Sequence, residues 1–227
     1  MKRILIAFSL LAAPACGAPQ LETIVAGGPG PTTLVLLHGF GSSAEEWAPF
    51  TKSIKLGPTG QFVFPKAQVR VPALDTPVWF PLGLPLDSSQ PAPPGLKRAA
   101  TQVENLLDAL DRQVVLGGFS QGAMVSGEVA FRSKTPIRAL VLMSGTTVDE
   151  RSWATGFADR KSLPVFISHG RQDVVLPFAT ADRFRKKMAE AGLIVTWVPF
   201  DGGHEMPAEV ISALNDFLAK FAGETPK

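Results

Sequence analysis

The chain of 227 residues encodes an α/β domain: a mostly parallel sheet with helices on both faces. Three observations predict it. Short apolar runs, rich in valine, leucine and isoleucine, alternate with longer stretches of helical periodicity, the signature of a covered parallel sheet. About two hundred residues is an ordinary size for one such unit. No internal repeat and no low-complexity linker divides the chain.

The elements follow in order. A strand over 33–37 precedes a helix over 44–54. A strand over 62–65 leads, after a long loop, to a helix over 96–110. There Val103, Leu106, Leu107 and Leu110 form an i, i+3, i+4, i+7 face that belongs in the core. A strand over 114–118 runs into a helix over 121–131. A strand over 137–143 precedes an irregular piece through residue 159. A strand over 163–169 leads to a helix over 178–191, which Gly192 is placed to stop. The last pair is a strand over 194–200 and a helix over 207–221.

The most informative segment joins one of these strands to its helix. Gly118-Phe119-Ser120-Gln121-Gly122 reads G-x-S-x-G, between the apolar run Val114-Val115-Leu116 and a helix-compatible stretch. Strand, sharp turn, helix is the setting of a nucleophile elbow. The turn leaves no room for side chains beside the serine, so glycines flank it. Ser120 is the candidate nucleophile, and the Gln121 N–H at the helix start is a candidate donor to a developing oxyanion.

A serine hydroxyl needs a base, and the base needs an orienting acid. The chain has three histidines. When an elbow of this kind serves a triad, the chain order is serine, acid, histidine. His204, in Asp201-Gly202-Gly203-His204-Glu205 after the last strand, has the serine and several acids before it. Asp173 is the acid of choice, because it follows the turn after a strand, where sites form in open α/β sheets. Asp201 is its rival, but an Asp-Gly bend so close to His204 suits a turn. Asp149 and Glu150 read as solvated charge. The loop His38-Gly39-Phe40-Gly41, after the first predicted strand, offers the Phe40 N–H as second oxyanion donor. His38 itself reads as a loop-holding residue.

These pieces resemble the phospholipase/carboxylesterase family of α/β-hydrolases, which includes acyl-protein thioesterases. The matching motifs are Leu37-His38-Gly39-Phe40-Gly41 with Trp47 downstream, Phe64-Pro65-Lys66-Ala67, Trp79-Phe80, Gly117 through Ala123, Leu142-Met143-Ser144-Gly145, Ser168-His169-Gly170 with Asp173, and Gly203-His204-Glu205. The resemblance implies an α/β-hydrolase fold without a large cap, a Ser120–Asp173–His204 triad, and oxyanion donors at Phe40 and Gln121. It implies a serine carboxylesterase acting on short- to medium-chain esters through an acyl-enzyme. Alternatives are an acyl thioesterase or lysophospholipase, an acetyl-xylan or feruloyl type esterase, and a non-catalytic protein that kept the fold. The family often has leucine at Phe40 and at Met143, and these departures bear on acyl-pocket shape.

Residues 66–94 form a long, proline-rich, apolar loop, read as a flap over the acyl pocket. Trp79, Phe80 and Leu82 in it, and Phe178 beyond it, are candidate substrate contacts. No cofactor is expected. The histidines lack metal-ligand spacing, there is one cysteine, and Gly27-Gly28-Pro29-Gly30-Pro31 lacks the lysine of a phosphate loop. The expected partner is a small ester, with the protein a monomer or homodimer.

Residues 1–18 have the pattern of an export signal. Lys2 and Arg3 precede an apolar run, and Ala13-Pro14-Ala15 supplies small residues for cleavage near Ala15 or Cys16. Residues 19–227 then form the single mature domain, periplasmic or secreted. Cys16 stands where a lipoprotein cysteine would, so membrane attachment is expected only if Cys16 is lipidated. Export argues against the thioesterase reading, because lipidated protein targets lie in the cytosol. Without Lys2 and Arg3 the 22 basic residues fall to 20, against 20 acidic ones. That balance leaves no basic stripe for nucleic acid. The basic cluster over residues 183–187 reads as a solvated helix face.

Overall fold

A computed structural model describes residues 20–28, 30, 32–57, 60–72, 74–83, 92–110 and 114–221. The expected signal segment and Cys16 lie outside the described residues.

Among the described residues seven strands form one sheet: β1 (Thr23–Gly27), β2 (Thr33–Leu37), β3 (Gln61–Pro65), β4 (Val114–Phe119), β5 (Ala139–Met143), β6 (Pro164–Gly170) and β7 (Ile194–Phe200). Their spatial order is β1-β3-β2-β4-β5-β6-β7. Only β1 runs antiparallel, pairing with β3 from Thr23 opposite Pro65 to Gly27 opposite Gln61. The other pairings are parallel. Among the described residues six α-helices accompany the sheet: α1 (Ala44–Trp47), α2 (Leu96–Leu110), α3 (Gln121–Arg132), α4 (Glu150–Gly156), α5 (Phe178–Glu190) and α6 (Ala208–Ala219).

Alternation along each central strand feeds two separate apolar layers. Val35 and Leu37 of β2, Leu116 of β4, and Leu140 and Leu142 of β5 join α2, α3 and α5 on one face. Leu34 and Leu36, Val115, and Val141 and Met143 join Trp47 of α1 and Val210, Leu214 and Phe217 of α6 on the other. Burial on both faces is why these strands read as unbroken apolar runs. The two layers also hold the strands' carboxyl ends, and hence the loops that carry the site, in one fixed frame.

The structure departs from the expected elements in three places. The helix expected over 44–54 is α-helical only over Ala44–Trp47 and then 3₁₀ over Ala48–Lys52. Pro49 has no N–H to continue the α-helical ladder. The piece before residue 159 contains α4, capped by Asp149, whose carboxylate accepts from the Ser152 N–H at 3.0 Å. Glu150 is paired with Arg183 and Lys187 of α5. Asp149 and Glu150 are therefore a helix cap and an interhelical anchor rather than free surface charge. Finally, β1 adds an edge strand ahead of the first expected one.

Candidate active site

Ser120 sits at the turn between β4 and α3 with φ 53° and ψ −116°. A non-glycine residue there is strained, by roughly 1–3 kcal/mol. Its own N–H donates to the Met143 carbonyl at 2.9 Å, which fixes the turn on β5. Close packing explains the flanking glycines. A Cβ on Gly118 would collide with the Gly122 carbonyl, and one on Gly122 with the Leu37 carbonyl. The elbow thus lies directly on the end of β2 and on the start of α3.

The three residues predicted to work together do come together. Ser120 Oγ lies 2.8 Å from His204 Nε2, and His204 Nδ1 lies 2.7 Å from Asp173 Oδ2. Each stands beyond the carboxyl end of a different parallel strand: β4, β6 and β7. Asp173 Oδ1 accepts from the N–H groups of Val175 and Leu176 at 2.9 and 2.8 Å, which curls the loop around the carboxylate. Burial pushes the Asp173 carboxyl upward in pKa, but hydrogen bonds from His169, His204 and the Leu176 amide outweigh it. The group is held well below the usual carboxylate range, so it stays ionised.

His169, present in the Ser168-His169-Gly170 motif but given no role from the sequence, contacts the candidate acid. Its ring is fully buried, with Nε2 2.8 Å from the Leu176 carbonyl and 3.3 Å from Asp173 Oδ2. The carbonyl requires an N–H on Nε2, so Nε2 donates towards both oxygens. Nδ1 has no partner, which suits an unprotonated nitrogen. Ser144, within the Leu142-Met143-Ser144-Gly145 motif, likewise has no role predicted from the sequence. It holds φ 44°, and its hydroxyl donates to the Glu205 carbonyl at 3.3 Å, tying the end of β5 to the His204 loop.

Both expected oxyanion donors flank the serine. Gln121 opens α3, so its N–H has no intrahelical acceptor, and Ser120 does not cap the helix with its side chain. The loop bearing Phe40 abuts the nucleophile: a Cβ on Gly39 would lie 3.4 Å from the Ser120 Cβ. A buried network sets this loop. Trp79 Nε1 donates to the His38 carbonyl at 2.9 Å, and the Ala67 N–H donates to His38 Nε2 at 3.3 Å. His38 Nδ1 faces the Gly39 carbonyl at 2.9 Å, so the ring's own proton is on Nδ1. The Gln121 side chain accepts from the Trp79 N–H at 3.1 Å and donates to the Phe80 carbonyl at 2.7 Å.

Two of the substrate contacts expected from the sequence, Trp79 and Phe80, belong to that network and not to the walls of the groove. Trp79 and Phe80 are buried behind the oxyanion loop, where Trp79 needs the His38 carbonyl for its N–H and Phe80 fills the core. Leu82 packs on the same core. Phe178 lies between Trp197, at 5.6 Å, and the Arg171 guanidinium, at 5.3 Å, away from the groove beside Ser120. In the described part of the expected flap, Val69 and Val78 form an antiparallel bridge. Residues 84–91 of that loop lie outside the described residues.

The groove beside Ser120 has other walls. It measures about 310 Å³, and Phe40, Trp47, Phe50, Phe119 and Met206 give it an apolar surface, with Glu46 at its rim. Phe119 also steadies the base, with its ring 4.9 Å from that of His204. Trp47 and Phe50 come from α1 and the 3₁₀ turn after it, so their helical spacing was the only available signal. Among the described residues no His, Cys, Asp and Glu cluster could hold a metal ion. The arrangement is equipped for nucleophilic attack on a carbonyl: a hydroxyl bonded to an imidazole, an imidazole bonded to a buried carboxylate, and amides beside the hydroxyl.

Comparison with known proteins finds relatives named acyl-protein thioesterases and solved esterase structures. The family model described as Phospholipase/Carboxylesterase matches residues 19–222. Acyl-protein thioesterase 1 of Mycosarcoma maydis is 29% identical over 175 residues, covering 66% of this chain and 72% of that protein. Acyl-protein thioesterase 1 of Schizosaccharomyces pombe is 23% identical over 206 residues, covering 84% and 91%. Among solved structures, esterase PE8 superposes with a TM-score of 0.78 at 24% identity, covering 89% of this chain and 99% of its own. At that identity the likeness concerns the fold.

Proposed function

The chain belongs to the phospholipase/carboxylesterase family of hydrolases, and on that premise we propose that it is a serine carboxylesterase for short- to medium-chain esters. The observation that carries the proposal is the continuous line from Ser120 Oγ through His204 to the doubly anchored carboxylate of Asp173. Ser120 Oγ attacks the ester carbonyl while His204 Nε2 takes its proton. The tetrahedral oxyanion is met by the N–H groups of Gln121 and Phe40. His204 returns the proton to the leaving alcohol, and an acyl-enzyme remains. Water, deprotonated by His204, then releases the acid and restores Ser120. Asp173 holds the imidazole with its proton on Nδ1 and stabilises the imidazolium.

The size of the groove supports short and medium acyl groups. Thioesters are a second reading, favoured by the relatives named acyl-protein thioesterases. One experiment addresses both: label the protein with a fluorophosphonate, locate the adduct by peptide mapping, and compare turnover on matched oxygen esters and thioesters. An adduct on Ser120 with ester turnover supports the proposal. Labelling elsewhere, or thioester turnover alone, overturns it.

Export is part of the proposal, supported by the charged start, apolar run and small-residue end of residues 1–18. Mass spectrometry of the protein expressed whole in a bacterium tests it. Loss of about fifteen residues is expected, and an intact Met1 in the exported fraction counts against it. A diacylglycerol mass on Cys16 would mark the lipidated form.

A further inference from the structure

We propose that the groove beside Ser120 selects esters carrying a positive charge next to an apolar group, and that Glu46 reads that charge. The inference rests on the serine-esterase reading and adds a substrate class to it.

Apart from the triad histidine, Glu46 is the only ionisable side chain among the described residues that line the groove. It is held in place. Ser42 Oγ donates to Glu46 Oε2 at 2.7 Å and accepts from Trp47 Nε1 at 3.1 Å, so the carboxylate is fastened to the aromatic wall. No lysine or arginine among the described residues pairs with it. The neighbouring Glu45 shows the contrast: its carboxylate lies 2.7 Å from Lys66 Nζ and is neutralised there.

Beside this uncompensated carboxylate stand two aromatic rings. Trp47 and Phe50 stack with centroids 5.1 Å apart and 23° between planes, and Phe119 lies 6.0 Å from Trp47. A fixed negative charge beside an aromatic wall, where Trp47 is buried but Phe50 is half-buried and Phe40 exposed, is the composition that holds an ammonium group, through charge attraction and the ring quadrupole together. The same carboxylate repels acyl groups that end in a carboxylate or phosphate. The rim is open to water, so the attraction is modest and screened by salt. Roughly five- to tenfold in kcat/KM is the expected size.

Isosteric substrates provide the test. Choline butyrate is compared with its neutral carbon analogue, dimethylbutyl butyrate, which places the charge on the alcohol side. The p-nitrophenyl ester of trimethylammoniobutyrate is compared with its carbon isostere, which places it on the acyl side. In at least one pair the cationic ester should lead about fivefold in kcat/KM at low ionic strength, and the lead should shrink in high salt. Glu46→Gln keeps the bond to Ser42 but loses the charge, and the ratio should fall to near one. Glu46→Lys should invert it, while Glu45→Gln, on the same turn but facing Lys66, should leave the ratio as in the wild type. A ratio of one or less in both pairs, or a ratio unmoved by Glu46→Gln, overturns the inference while leaving the esterase reading intact. No turnover of any ester, with no fluorophosphonate adduct, overturns both.

Discussion

His169 places its Nε2 3.3 Å from Asp173 Oδ2, and both side chains are closed off from solvent. The carboxylate oxygen that faces His204 is thus shared with a second imidazole. This contact suits His169 to a positioning role, with its N–H helping to hold the carboxylate oxygen that faces His204. His169→Leu removes one donor from a charged acceptor, a loss of about 1.5–3 kcal/mol. If that loss falls on the transition state, kcat drops roughly ten- to a hundredfold with KM little changed. His169→Gln, which keeps an N–H on that side, should recover part of the rate. A rise in KM at constant kcat would mean that the residue shapes the groove instead.

Mutation should separate the two candidate acids. Asp173→Asn leaves the loop's backbone hydrogen bonds an acceptor but removes the charge behind His204. Turnover should fall by about 10⁴-fold, the size seen when a triad acid becomes an amide. Asp201 is on the surface, 3.4 Å from Arg171, and its side chain is 86% exposed. Asp201→Asn should stay within a few-fold of wild type. Initial rates on one soluble ester decide the matter, and the reverse order would reassign the acid.

Much of this site was legible in the sequence because its working parts are local. The elbow needs two glycines for steric reasons that act within five residues, and Asp173 and His204 each follow a strand that announces itself. The walls of the groove were hidden for the opposite reason. Trp79 and Phe80 look like pocket residues in an apolar loop, and only the tertiary network through His38 and Gln121 turns them inward. Trp47 and Phe50 look like core residues of an ordinary helix, and Pro49 changes the helix type exactly where they meet the groove. His169 reads as the last residue of a strand, and its tie to Asp173 depends on how the next loop curls back. β1 is hard to read because a five-residue edge strand running into glycines carries little pattern. α4 is equally hard to read because seven residues span barely two turns.

Strain at Ser120 separates catalysis from stability. Ser120→Ala should abolish turnover to the residual of an incomplete triad, with the fold intact. Ser120→Gly should be equally inactive but more stable than the alanine variant, by about 1 kcal/mol, because glycine tolerates φ 53°. Thermal melts of the two inactive proteins, run side by side, check this. A glycine variant less stable than the alanine one would show that the turn is not strained.

His38 predicts acid lability in the oxyanion loop. Burial lowers its pKa, outweighing the hydrogen bond to the Gly39 carbonyl and the nearby charges of Glu45 and Glu46. A protonated ring would also turn Nε2 into a donor facing the Ala67 N–H. The unfolded chain therefore takes up a proton first as pH falls below about 6.5. His38 contributes stability that is present above that pH and is lost as pH drops towards its lower folded value. Urea midpoints between pH 7 and pH 5 should fall in the wild type and fall less in His38→Gln. Equal slopes for the two proteins would remove His38 from the account.

Acyl-chain length reads out the groove itself. Each methylene buried against an apolar wall adds about 0.8 kcal/mol, close to fourfold in kcat/KM if the contact persists in the transition state. Phe50 and Met206 offer such a wall, but the groove holds only about 310 Å³. Efficiency on p-nitrophenyl esters should climb from acetyl to butyryl or hexanoyl and then level off or fall. Phe50 is only partly buried, so Phe50→Ala lengthens the groove with little strain on the fold. It should move the optimum to longer chains while lowering the rate on butyryl esters, because the wall that short chains touch is gone. A steady climb through the longest chains in the wild type, or activation at an oil–water interface, would require a deeper tunnel than the walls around Ser120 enclose.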